Sequence, residues 1–243
     1  MKKLASYTLL GLVIVALVAC EETTNSGNGD CIRGSGDIVT RDYSISDFSK
    51  VSVFAVTDVT ITKDESTALR IKGQRSVMDV LNVEVFGPEL SIGHDNCFED
   101  IEPLKIEAST ATLSRVQHFG VGRIKGNGIF NGDDFEAVVS GVADMDFDLN
   151  VEHTSCVIGG TGNITIRGRA EHQDYVINGA GDINGYNLEG QDARVLINGA
   201  GNCRVNVEEE LEVLINGTGH VYYRQNPTLS LSVNGVGSAV AVE

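Results

Sequence analysis

A short unit recurs along this chain: apolar, polar, Gly, small, Gly, polar, apolar. It reads Ile158-Gly-Gly-Thr-Gly-Asn-Ile164, Ile177-Asn-Gly-Ala-Gly-Asp-Ile183, Ile197-Asn-Gly-Ala-Gly-Asn-Cys203, Ile215-Asn-Gly-Thr-Gly-His-Val221 and Val233-Asn-Gly-Val-Gly-Ser-Ala239. Two degraded copies precede it, His118-Phe-Gly-Val-Gly-Arg-Ile124 and Val139-Ser-Gly-Val-Ala-Asp-Met145. The first glycines fall at 120, 141, 160, 179, 199, 217 and 235, a period of 18–21 residues. Val53 to Ile61 aligns in the same register, with Ala55 and Thr57 in place of the glycines.

Within each copy the aliphatic residues and glycines share one parity, and Asn, Thr, Asp and His share the other. Period two means strand. A strand returning at this interval with no helix between copies predicts an all-β parallel solenoid, each coil stacked on the last. Glycine on the inward parity then marks a bend or a close backbone approach. The fold needs no aromatic centre, in keeping with 6% aromatic content. Asn178, Asn198, Asn216 and Asn234 fall in one column and read as a stacked amide ladder, with a polar binding strip as the alternative. The start is less regular: strands over Val51–Ile61, Ala68–Ile71, Asn82–Phe86 and Glu89–Ile92, a turn at Gly87-Pro88 and a helical turn within Ser76–Leu81. This irregular N-terminal part is the expected cap of the solenoid.

The first residues are an address. Lys2 and Lys3 precede an uncharged apolar run, Leu4–Ala19, too short for the ~20 residues of a membrane span and shaped like a secretory signal. Leu17-Val18-Ala19-Cys20 resembles a bacterial lipobox. Residues 1–19 are therefore expected to be cleaved, Cys20 to carry lipid, and residues 20–30 to form a flexible polar tether before a solenoid domain over 31–243. Acyl chains on one cysteine anchor stably without a basic patch. The acidic residues after Cys20 resemble surface-export signals of some Gram-negative lipoproteins, so the expected address is the outer membrane.

The repeated Gly-small-Gly-Asp/Asn-Ile unit, the opening Gly34-Ser-Gly-Asp-Ile38 with Phe48-Ser-Lys-Val-Ser-Val53, and the closing Gly217-Thr-Gly-His-Val-Tyr-Tyr223 with Pro227 together resemble the head GIN domain family of bacterial envelope proteins, described as auto-transporter adhesins. The resemblance spans roughly residues 33–240. It implies a single-stranded right-handed parallel β-helix related in shape to pectin lyase-like folds, and an adhesive role. The chain departs from the family where Gly-Ser-Gly-Asp becomes Gly-Ala/Thr-Gly-Asn/His, which thins the acidic column.

With 34 acidic and 18 basic residues the net charge is -16, which argues against nucleic acid as a partner. A dinucleotide loop occurs once, between a strand and a helix, and calcium rolls repeat every nine residues; neither pattern is present. The column after the second glycine runs Arg123, Asp144, Asn163, Asp182, Asn202, His220 and Ser238. Coil stacking would set Asp144 and Asp182 roughly 9–10 Å apart, the long edge of the ~6.5–9.5 Å spacing of an inverting glycosidase. A solvated face is the plainer reading, with Asp144, Asn163, Asp182, Asn202 and His220 kept as a polar binding column. Five histidines show no metal-ligand spacing, and no metal or cofactor is expected. His94-Asp-Asn-Cys97 with Glu99 and Asp100 reads as an acidic loop. Cys156 and Cys203 read as core thiols; an export route permits Cys31 to pair with Cys97. Tyr175, Tyr186 and Tyr222 are the candidate sugar-stacking residues. The expected function is an adhesin or ligand-binding solenoid for polysaccharide or an extracellular protein. A polysaccharide lyase or hydrolase, and a structural assembly module, are the alternatives.

Overall fold

The computed structural model describes residues 31–242, and Cys31–Glu243 forms one compact unit. The expected signal segment, Cys20 and the expected tether lie outside the described residues. The chain runs through β1 (Ile32–Arg33), β2 (Ile38–Tyr43), β3 (Lys50–Phe54), β4 (Val56–Lys63) and β5 (Ala68–Gln74) to one helical turn, α1 (Arg75–Met78). β6 (Asn82–Phe86), β7 (Glu89–Gly93), β8 (Phe98–Glu99), β9 (Leu104–Thr110) and β10 (Arg115–His118) follow. The strands then lengthen into whole coils: β11 (Val121–Val139), β12 (Val142–Ile158), β13 (Ile164–Ile177), β14 (Ile183–Ile197) and β15 (Cys203–Ile215). β16 (Thr218–Arg224), β17 (Thr228–Val233) and β18 (Val236–Ala241) complete the stack.

From β10 onward every pairing is parallel, coil on coil, as the period requires. The inward parity builds continuous ladders. Ile124, Met145, Ile164, Ile183, Cys203 and Val221 pair in one column, and Val139, Ile158, Ile177, Ile197 and Ile215 in another. All of them are buried. Each such side chain contributes roughly 1.5–3 kcal/mol of transfer free energy, so stability accrues along the stack.

The glycine pair has a steric cause. At Gly160, Gly179, Gly199 and Gly217 a Cβ would collide with a carbonyl oxygen of the coil beneath; Gly162, Gly181, Gly201 and Gly219 repeat the collision two residues on. Two columns of glycine thus let successive backbones approach at the corner. In the earlier copy, Ala55 and Thr57 lie beneath Gly120 and Gly122, whose lack of a Cβ lets the next coil settle on them.

The start departs from simple stacking. β3 and β4 form a coil in register with the rest, but its other neighbour is β7 with β9, which comes later in sequence. The Val51–Ile61 coil is therefore sandwiched between residues 89–110 and 115–127. Antiparallel β2–β5–β9 and β6–β7 close this end. α1 plugs it with Val77 and Met78. Cys31 and Cys97 are disulfide-bonded, tying β1 to β8, and Arg33 lies within 3.6 Å of both Glu99 and Asp100.

Candidate functional site

The polar column at the corner is a hydrogen-bonded ladder. The Asn163 backbone N–H and side-chain amide both donate to Asp144 Oδ1, at 3.0 and 2.9 Å. The Asp182 N–H donates to Asn163 Oδ1 at 3.2 Å, and the same double contact recurs from Asn202 to Asp182 Oδ1, at 2.8 and 3.1 Å. The His220 N–H reaches Asn202 Oδ1 at 3.0 Å, and its ring Nδ1 lies 2.9 Å from Ser238 Oγ. Each short side chain thus satisfies a corner N–H that the bent backbone leaves over. The Asn178–Asn198–Asn216–Asn234 column is likewise a chain of amide hydrogen bonds, each 2.8 Å.

Asp182 is the electrostatic junction. Partial burial works to raise its pKa, but the N–H of Asn202, Arg204 and the Asn202 amide outweigh it and hold the carboxyl below its ordinary value. Arg204 Nη1 sits 3.0 Å from Asp182 Oδ2, with its guanidinium carbon 5.7 Å from the centre of the Tyr222 ring.

The tyrosines separate into two groups. Tyr175 is not a surface platform: it is fully buried, and its hydroxyl donates to Gln173 Oε1 at 2.8 Å. It shares the inward parity of Ile177, and Gly185 leaves the space its hydroxyl fills. Burial keeps that hydroxyl protonated. Tyr186 stands outside by the alternation that buries Ile183 and Gly185, and β14 carries extra residues between Asn184 and Glu189 relative to β15. Arg224, from β16, lies over the Tyr186 ring at 4.4 Å and donates to the Tyr186 carbonyl at 3.4 Å. Partial burial raises the Tyr186 hydroxyl, with Arg204 and Arg224 opposing. Tyr186, Arg204, Tyr222 and Arg224 form one half-exposed patch beside the Asp182–Asn202–His220 stretch of the column. Among the described residues Arg224 has no carboxylate partner, whereas Arg204 and Arg167 are paired with Asp182 and Asp146. The arginines escaped sequence reasoning because Tyr186 and Arg224 are 38 residues apart; only the coil stacking joins them.

A model of the family described as "Putative auto-transporter adhesin, head GIN domain" matches residues 47–227. The chain belongs to the head GIN domain family. All four residues of the arginine–tyrosine patch lie inside the matched span. Solved structures share the head GIN fold. A "putative adhesin" from Bacteroides fragilis is 24% identical, with a TM-score of 0.81, covering 87% of this chain and 100% of its own. A "putative lipid binding protein" from Parabacteroides distasonis is 20% identical with a TM-score of 0.70, covering 87% and 99%. A "putative adhesin" from Parabacteroides merdae is also 20% identical, with a TM-score of 0.69 and the same coverage. No curated protein matches the chain.

Other chemistry-bearing groups of this head GIN domain fall elsewhere. Coil stacking brings His153 and His172 face to face, ring centres 4.6 Å apart, with His172 Nδ1 2.7 Å from Asp192 Oδ2. No group of three or more ligating side chains among the described residues is placed to hold a metal ion. A shallow acidic concavity of about 520 Å³ is lined by Asp174, Asp192, Glu210 and Glu212 with Arg194; no carboxylate among the described residues is buried. Cys156 and Cys203 are buried free thiols in different ladders, and burial pushes Cys156 up to about 12. Phe54 and Phe119 stack at 4.3 Å with exposed edges, but each covers a face of the other.

Proposed function

We propose that this head GIN domain is a lipid-anchored adhesin of the cell envelope that binds polysaccharide through the patch of Tyr186, Arg204, Tyr222 and Arg224. The observation that carries this reading is Arg224, set over the Tyr186 ring at 4.4 Å and, among the described residues, without a carboxylate partner, on a chain of net charge -16. A guanidinium fixed against a ring offers its outward N–H groups to hydroxyls or carboxylates at little cost in side-chain entropy. The flat wall suits an extended polymer, and the Asp182–Asn202–His220 stretch supplies further polar groups at its border. Family membership supports an envelope address. The lipobox-like end of the leader supports Cys20 as the anchor, with residues 20–30 as spacer.

A glycan and host-matrix binding screen of residues 31–243, with product release assayed in parallel, tests the reading. Arg224→Ala and Tyr186→Ala are expected to weaken binding at least tenfold while leaving the melting temperature nearly unchanged. Equal binding by wild type and both variants refutes the patch. Turnover of a bound glycan would favour the enzyme alternative, for which the acidic concavity around Asp192 and Glu210 is the place to look. Cys20→Ser is expected to move the protein from the membrane fraction to the soluble one.

A further inference from the structure

The two ends of the solenoid are finished differently. At the near end α1 plugs the core, and the outermost strands carry charge, Arg41 and Asp42 on β2 and Glu84 on β6. Charges on an outer strand deter a further strand from pairing. At the far end, among the described residues, β17 pairs only with β15, and β18 only with β16. The aliphatic ladders stop in the open there: Leu231 is 44% and Val233 40% exposed, above Val213 and Ile215 at 1% and 0%. The amide ladder stops too, with Asn234 donating to Asn216 and no rung beyond it among the described residues. Thr228–Val242 contains no Lys, Arg, His, Asp, Glu or Pro. Neither charge nor proline blocks this edge over residues 228–242.

The geometry points to a second copy of this chain as the occupant, docked tail to tail about a two-fold axis through β17 and β18. Backbone N–H and carbonyl groups along an open edge are satisfied by another strand, and a two-fold axis sets identical edges antiparallel. Charge selects the partner's approach. Two copies of net charge -16 repel through their walls, and the uncharged end is where that repulsion is least. The plugged near ends leave nothing for a third copy to pair with, so the assembly closes as a dimer. The Cys31–Cys97 bridge lies at the plugged end, where Ser76, the second residue of α1, hydrogen-bonds the Arg33 carbonyl. Cys31, the first described residue, therefore lies at opposite ends of the pair in the two copies. Provided that Cys20 is the lipid anchor, as proposed above, the dimer would link two membranes, making adhesion homophilic.

Sedimentation equilibrium of residues 31–243, the compact unit that holds the whole core and the disulfide, tests the docking. The expected result is a reversible dimer in the micromolar range. Ser230 and Ser232 are exposed on β17 and lie outside the Leu229–Leu231–Val233 ladder. Ser230→Glu/Ser232→Glu and Ser230→Lys/Ser232→Lys are each expected to be monomeric, and an equimolar mixture is expected to regain the dimer mass as a heterodimer. A wild type that stays monomeric overturns the proposal, as does a glutamate variant that dimerises like wild type. The charged variants retain Arg224, so their glycan binding reports on the proposed patch separately.

Discussion

Gly181 passes so close over Gly162 that a Cβ on Gly181 would fall 1.7 Å from the Gly162 carbonyl oxygen, far inside van der Waals contact. Its φ of +149° is one that L side chains avoid. Both facts follow from one corner geometry repeated along the stack. Gly181→Ala is expected to cost about 3 kcal/mol or more, because the clash is with backbone and cannot be relieved by a rotamer change. Ala180→Ser, one residue away on the exposed parity, should cost less than about 0.5 kcal/mol. Urea unfolding of the two variants side by side checks the contrast.

The amide ladder should be cooperative along its column. Asn198 both donates to Asn178 and accepts from Asn216, each at 2.8 Å. Asn198→Leu removes two hydrogen bonds on an exposed face, at about 1–2 kcal/mol. That corresponds to a fall of a few degrees in melting temperature for a domain of this size. An unchanged melting temperature by calorimetry would show that water replaces the ladder without loss.

These two columns were legible in the sequence because a solenoid converts a linear period into spatial adjacency. Once Ile158 and Ile177 are known to stack, Asn178 and Asn198 must stack as well, and Ala55 and Thr57 fall into the glycine register. The parity of Ile177 places Tyr175 inside, and that parity overrides the affinity of a tyrosine ring for sugar. The order of stacking at the start was hidden. Residues 89–110 carry no glycine pair, and alternation alone does not say which side of the Val51–Ile61 coil they cover. The Arg224–Tyr186 contact was hidden for a different reason: the two residues stand two coils apart, 38 residues in sequence, and extra residues in β14 break the period between them.

The disulfide holds the plugged end. Cys31 and Cys97 are 66 residues apart, and closing a loop of that length removes unfolded-state entropy of about 4 kcal/mol on the chain-entropy account. Cys31→Ser/Cys97→Ser should lower the melting temperature by several degrees. The loss should fall first on the cap: hydrogen exchange is expected to quicken in β1, β2 and β8 while β12 to β14 stay protected. Uniform loss of protection would mean that cap and solenoid unfold as one unit.

His118 interrupts an aliphatic column between Val53 and Val139. It is fully buried, and neither ring nitrogen makes a well-formed hydrogen bond. Burial lowers its pKa to about 4, the Thr57 backbone only partly opposing. An unfolded histidine titrates near ~6.5, so as pH falls the unfolded chain takes up this proton first. The stability contributed by the neutral ring is complete above about 6.5, declines as pH falls toward about 4, and changes no further below. Over that window the loss amounts to about 3 kcal/mol. His118→Ile replaces an unpartnered imidazole with a residue matching its column. It should raise stability at neutral pH and flatten the decline between pH 6.5 and 4, relative to wild type. Urea midpoints of both proteins at pH 7.5 and 4.5 measure the difference, and parallel losses in the two would clear His118 of any part in acid unfolding.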